Sequence, residues 1–269
     1  MTFTFFASCL FAAMHLQTPT ASCDIDTRGA RITSWKVGGV ERLWNQAQPR
    51  DAKGRWEHGG IPLAWPWFGR TGPGGTRTIH GFAWRQEFAV VRRTDTPTKS
   101  EVVLSTYSES FTADYTITLT DKLRLELRTT NVSDRPAKAN FGFHPYFLLA
   151  DRNRAHVKGL ASVDIDMPLT RAPDDVFPCS RPGGVVELRD AVLGRAIHVE
   201  SPDCGEFVIW NPGSEWPKGG YPEIDDFGSP DDWRHFAAVE PRVGSWKKLP
   251  DLAPGETRTL VAEFSVRQL

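Results

Sequence analysis

Apolar and polar positions alternate along much of this chain. Tyr115, Ile117 and Leu119 are separated by threonines, and Leu123, Leu125 and Leu127 alternate with Lys122, Arg124, Glu126 and Arg128. A period of two sends one set of side chains to each face of a pleated strand. The two runs flank Thr120-Asp121-Lys122, so the pattern predicts an antiparallel hairpin over 112–130 with one wet face. Shorter runs predict strands at 31–36, 86–92, 101–107, 195–200, 206–210 and 258–266. Another short apolar strand, FAAVEP, starts at Phe236 and ends at Glu240. Pro and Gly clusters at 71–75, 181–184, 211–222 and 250–255 mark loops. No i, i+3, i+4, i+7 pattern runs beyond about two turns. SPDDWRH at 229–235 predicts one short helix, with Ser229 as N-cap and Pro230 at the first position. The expected fold is all-β, one large antiparallel sandwich.

Composition narrows the function classes. The 269 residues carry 32 basic and 33 acidic side chains, a formal charge of −1. That balance lacks the basic footprint of a nucleic-acid or anionic-membrane binder. No apolar run approaches the roughly 18 residues of a spanning helix. The 10 Trp, 16 Phe, 23 Gly and 20 Pro fit short strands, turns and aromatic platforms. The length allows one large domain or two small ones. Cys9, Cys23, Cys179 and Cys204 form no CxxC pair, so free buried thiols are expected, with a disulfide only if the protein is exported. Phe3 to Met14 is apolar, but no Lys or Arg precedes it, unlike a secretory signal. It reads as a weak export signal, a start upstream of Met14, or a first buried strand; the last two are favoured. The expected organisation is a single domain over 17–269, with 1–16 set apart, in a cytoplasmic protein.

Four segments hold residues suited to chemistry. GGIPLAWPWFGR, 59–70, puts aromatics among prolines, as an edge or loop segment that lines a pocket or anchors a loop. IHGFAWRQEF, 79–88, offers His80 at the start of a strand, with Arg70, Arg77 and Arg85 close in sequence; guanidinium groups suit a phosphate, a sulfonate or a sugar hydroxyl. NFGFHPYFL, 140–148, wedges His144 among aromatics, a setting expected to hold its pKa near neutrality for acid or base work. Glu240 stands where an apolar residue is expected, so its carboxylate is either paired or catalytic. Asp225, Asp226, Asp231 and Asp232 make an acidic loop.

The order of these motifs resembles the galactose mutarotase-like superfamily, in its branch of hexose-6-phosphate mutarotases (glucose-6-phosphate 1-epimerase-like proteins). The resemblance runs from Arg28 to Phe264. It is carried by RGARITSWKVGGVERLW, GGIPLAWPWFG, IHGFAWRQEF, FGFHPYF, VIWNP, IDDFGSPDDW, AVEP and LAPGETRTL. It implies a large β-sandwich, the supersandwich, whose concave face binds a sugar. It also implies exchange of the α and β anomers of a hexose without a cofactor or a metal ion. By resemblance His144 is the general acid, Glu240 the general base and His80 a substrate-binding histidine. Asp226 would grip sugar hydroxyls, with Asp225 as the alternative, and Trp67 and Trp210 would stack on the sugar.

The chain departs from the branch where it commonly carries His-Gly-Phe-Ala-Arg. Trp84 holds the arginine position and Arg85 follows, on the opposite face if the segment is a strand. Arg70 or Arg77 would then meet the phosphate, and Lys218 stands for a lysine displaced from WNP. The expected partner is a small-molecule sugar or sugar phosphate. The alternatives are a neutral or sulfonated hexose, a non-catalytic carbohydrate-binding protein, or a lyase or hydrolase on a related sandwich. A hydrolase would ordinarily need two flanking carboxylates, where this chain offers a histidine and a glutamate.

Overall fold

The computed structural model describes residues 13–46, 58–69, 78–160, 163–166, 175–178, 185–213, 229, 231–244 and 250–269. Its strands in chain order begin with β1 Ala13–Gln17, β2 Ala21–Asp26, β3 Arg31–Val37, β4 Val40–Glu41, β5 Leu63–Ala64, β6 Ala89–Asp95 and β7 Ser100–Tyr107. They continue with β8 Phe111–Leu119, β9 Leu123–Asn131, β10 Ala137–Lys138, β11 Gly142–Phe143, β12 Tyr146–Leu148, β13 Ala155–Leu160 and β14 Val163–Asp166. The last are β15 Asp175–Pro178, β16 Val185–Asp190, β17 Arg195–Glu200, β18 Glu206–Trp210, β19 Phe236–Arg242, β20 Asp251–Leu252 and β21 Thr257–Gln268.

All the pairings between these strands are antiparallel. A nine-stranded sheet runs β14-β13-β16-β17-β21-β9-β8-β7-β6. A six-stranded sheet runs β15-β18-β19-β11-β5, with β12 also paired to β19. β1 to β4 form a third sheet, and β10 pairs with β20. The predicted hairpin is β8–β9, turning through 120–122 with Thr120 N–H donating to the Lys122 carbonyl at 2.8 Å. Its inward residues, Tyr115, Ile117, Leu125 and Leu127, are fully buried, and the polar set between them faces outward.

The main core lies between the two large sheets. Tyr115 of β8 stacks on Phe143 of β11 at 5.8 Å, and Phe264 of β21 meets Phe147 of β12 at 5.5 Å. Trp65 donates its indole N–H to the Thr129 hydroxyl of β9 at 3.0 Å, satisfying the one polar atom that so large a ring would otherwise bury.

The six-stranded sheet is buried on both faces, as β18 and β19 show throughout. Phe207, Ile209, Ala237 and Val239 point into the core. Val208, Trp210, Phe236 and Ala238 belong to a second apolar cluster with Trp44, Ala64, Phe68 and Tyr146. This second face carries the site.

Several expectations need correction. The strand expected at 86–92 begins at Ala89, because Ala83–Arg85 forms a 3-10 turn first. The helix expected at 229–235 is one 3-10 turn, Asp232–His235, with Asp231 rather than Ser229 preceding it; β19 starts at Phe236 and leaves no room for more. Residues 13–16, set apart in sequence, form most of β1 and pair with β2. Cys204 is disulfide-bonded, against the expectation of free thiols. Cys23 is free and buried; Cys9 and Cys179 lie outside the described residues.

Candidate active site

β18 and β19 set out the floor by register. Trp210 faces Ala238, Val208 faces Glu240, and Glu206 faces Arg242. Positions two apart share a face, so Trp210, Glu240 and the Glu206–Arg242 pair lie in one row. Glu240 sits inside β19 rather than at its end, because the strand continues through Pro241 to Arg242. Arg242 and Glu206 are buried and bonded to each other, which satisfies two charges at one end of the row. The Arg242 guanidinium also lies 5.2 Å from the centre of the Phe68 ring.

His144 enters from the kink between β11 and β12, where Pro145 interrupts the strand. Its backbone N–H donates to the Pro62 carbonyl at 3.1 Å. Its Nε2 lies 3.4 Å from Oε1 of Glu240, and both side chains are almost fully buried. The imidazole lies parallel to two rings, Tyr146 at 4.7 Å and 19° and Phe68 at 6.2 Å and 13°. His80 and Trp210 meet it edge-on at 5.0 and 5.6 Å. Burial, and then the nearby His80 and His58, hold its pKa well below the usual histidine value. This corrects the expectation of a pKa near neutrality, since removal from water disfavours the charged ring.

His80 comes from a turn, not a strand, and has φ +52°. Gly81 follows at φ +72°, where a Cβ would stand 2.1 Å from the Trp65 carbonyl oxygen; only glycine fits there. Gly69 N–H donates to His80 Nδ1 at 3.2 Å. Nδ1 is therefore the acceptor, which leaves Nε2 as the N–H donor of the neutral ring.

Trp210 lies in the site. Trp67 is buried, donates to the Thr78 carbonyl at 2.8 Å and packs edge-on against Phe82 at 5.5 Å; the ring of this segment that touches both histidines is Phe68. Arg85 is exposed, with its guanidinium 4.1 Å from the Trp84 ring centre. Because it lies in a 3-10 turn, the strand-face argument made for it does not apply. Arg70, Arg77, Lys218, Asp225 and Asp226 lie outside the described residues. Among the described residues no group of three or more His, Cys, Asp or Glu is arranged to hold a metal ion.

Sequence reasoning missed three residues that the fold brings to His144: Phe68, Tyr146 and His58. His58 is 2% exposed, lies parallel to Trp210 at 6.1 Å, and places Nδ1 3.0 Å from the Tyr146 hydroxyl. A histidine directly before a Gly-Gly pair was the available signal.

The arrangement is a buried histidine–glutamate pair on an aromatic sheet face, two groups chemically able to give and take protons. Residues 13–265 match the family model of aldose 1-epimerase, and the chain belongs to that family. It is thus an isomerase of the aldose 1-epimerase, or mutarotase, class acting on a sugar. A Salmonella typhimurium (strain LT2) protein named "Putative glucose-6-phosphate 1-epimerase" is 27% identical over 229 residues, 76% of this chain and 77% of that protein. An Escherichia coli (strain K12) protein of the same name is 27% identical over 235 residues, with the same coverage. The solved structure of a Salmonella typhimurium "putative mutarotase (YeaD)" matches with a TM-score of 0.79 at 20% identity, covering 96% of this chain and 90% of that one.

Proposed function

We propose that this aldose 1-epimerase acts on a hexose 6-phosphate, with His144 as general acid and Glu240 as general base. The observation that carries the mechanism is the 3.4 Å approach of His144 Nε2 to Glu240 Oε1 on a buried floor. Anomer exchange opens the ring by protonating the ring oxygen and deprotonating the anomeric hydroxyl. After rotation about C1–C2 the same two groups run in reverse. Glu240 takes the hydroxyl proton and His144 delivers one to the ring oxygen. Burial keeps most of the His144 population neutral, and the protonated fraction is a correspondingly stronger acid toward so weak a base. When the ring closes, His144 takes back a proton from the C5 hydroxyl and Glu240 returns one to the anomeric oxygen, so both groups are reset for the next turnover. His80 donates from Nε2 to a sugar oxygen, Asp226 grips hydroxyls, and Trp210 supplies an apolar wall; Trp67 backs the Phe82 side. A positioned acid–base pair contributes about 10²–10⁴-fold, and fixing the anomeric centre beside it adds to this.

The phosphate reading is supported by the names of the two relatives and by Arg70 and Arg77 in the sequence. Trp84 in place of the arginine, with Arg85 turned to solvent over it, favours a neutral or sulfonated hexose as the second reading. The Cys204 bridge favours an oxidising compartment over the cytoplasm. Anomer exchange rates for glucose 6-phosphate, glucose and sulfoquinovose, measured side by side by NMR exchange spectroscopy, test the substrate. The phosphorylated sugar should be fastest; faster turnover of neutral glucose would rule out the phosphate reading.

A further inference from the structure

Among the buried polar contacts that the acid–base step does not use is the one between His58 and Tyr146. His58 precedes Gly59 and Gly60, which have φ of +102° and +65°. A Cβ at Gly60 would stand 2.1 Å from the Ile32 carbonyl oxygen, and one at Gly59 would stand 2.5 Å from the Asn45 Cα. Only glycine passes through this gap, and passing through it turns His58 inward. The segment is then fastened to the His144 region, with Tyr146 N–H donating to the Gly60 carbonyl at 2.9 Å and His144 N–H to Pro62. His58 Nδ1 and the Tyr146 hydroxyl meet at 3.0 Å. The other end of this contact is the Tyr146 ring, which lies against the His144 imidazole. Trp210 closes the cluster, parallel to His58 and edge-on to both Tyr146 and His144.

We propose that His58 is a positioning residue that acts on His144 through the Tyr146 hydroxyl. The hydrogen bond fixes the tyrosine ring, and the ring fixes the plane in which His144 presents its nitrogen to the sugar. The proposal rests on the reading of His144 as the proton donor. A flat stack resists separation but not sliding, so a polar anchor at the tyrosine's far end holds it in place. Displacing a reacting group by about 1 Å costs about 10²-fold; a stack that keeps its partner but loses its anchor should cost less. Among the described residues the titratable groups facing His144 are Glu240 from β19, His80 from its turn, and His58 and Tyr146. Of these, His58 and His80 disfavour its protonation.

The test compares anomer exchange on glucose 6-phosphate by the wild type, Tyr146→Phe, His58→Leu, His58→Asn and the Tyr146→Phe/His58→Leu double variant. Tyr146→Phe and His58→Leu should each lower kcat by about tenfold with little change in KM. The double variant should be no slower than the worse single one, because both remove the same bond. Asparagine places an amide near the position of Nδ1, so His58→Asn should recover most of the loss. The limb of the pH–rate profile that reports His144 should move to higher pH in both His58 variants, since a repelling imidazole has gone. Tyr146→Phe keeps the ring, and its thermal unfolding midpoint separates a positioning effect from misfolding. Multiplying losses in the double variant, or an unmoved pH limb in folded His58→Leu, would overturn the proposal. A wild type that exchanges no aldose anomer removes the functional reading and this proposal with it. An active wild type matched by all four variants removes only the positioning role.

Discussion

Replacing Gly60 with alanine should damage both the fold and the site, by an amount the structure allows to be worked out. Gly60 has φ +65°, and an L-residue held in the left-handed region costs about 1–2 kcal/mol. The new Cβ would also meet the Ile32 carbonyl oxygen at 2.1 Å. That oxygen accepts from Ile61 N–H at 2.8 Å, and Ile32 N–H donates back to the Ile61 carbonyl at 3.3 Å. Relieving the clash must part this pair, at about 0.5–1.5 kcal/mol for each bond. The total is about 2–5 kcal/mol by these two contributions. Gly38→Ala is the control: its φ is +60°, but no heavy atom lies within 4 Å of the added Cβ. It should show the left-handed cost alone. At roughly 2–4 °C per kcal/mol for a chain of this size, Gly60→Ala should unfold roughly 2–12 °C below Gly38→Ala in matched thermal scans. Only Gly60→Ala should also slow anomer exchange, because it displaces His58. Equal midpoints and equal activity in the two variants would refute the close-approach argument.

Other outcomes follow from the same geometry. Below about pH 6.5 an unfolded chain protonates the histidine at 144 while the folded chain, with its lowered pKa, does not. Stability should therefore fall as pH drops through that window toward the folded value, and His144→Gln should lose part of this acid sensitivity; identical pH–midpoint curves would contradict the buried neutral ring. Arg242→Leu strands Glu206 without its buried partner and should destabilise by about 3–5 kcal/mol, whereas Arg242→Leu with Glu206→Leu should recover much of the loss; a neutral single variant in denaturant titration would argue against a buried pair. Denatured protein prepared without reductant should show fewer reactive thiols than the four it shows after reduction, since Cys204 is bridged; four thiols before reduction would contradict the bridge.

What could be read from sequence tracks how water meets each strand. The β8–β9 hairpin was legible to its turn because one face is wet, and alternation records that directly. β19 is buried on both faces, so its sequence shows an apolar run with no period, and Glu240 looked terminal because Pro241 follows. Strands such as β2, with Ala21 and Cys23 as inward residues, bury small side chains and leave a faint pattern. His144, Glu240 and His80 were found through the order of motifs. Phe68, Tyr146 and His58 were not singled out, because their contacts with His144 are made by strand register, by the turn at Gly59–Gly60 and by ring stacking; the Gly-Gly pair after His58 and the aromatic run around His144 are the only local traces these leave. For Arg85 the strand-face reason fails because a 3-10 turn, not a strand, carries it, although the side chain is exposed over Trp84 as that reason implied.

The central claim is that a buried histidine–glutamate pair performs the anomer exchange, and one substitution meets it head-on. Glu240→Gln keeps the shape of the side chain and removes its basicity. Exchange between the α and β anomers of glucose 6-phosphate, followed by NMR magnetisation transfer, should fall by about 10²–10⁴-fold, to near the uncatalysed rate, while sugar binding by calorimetry stays nearly unchanged. A Glu240→Gln protein that binds the sugar and exchanges its anomers at the wild-type rate would contradict the account.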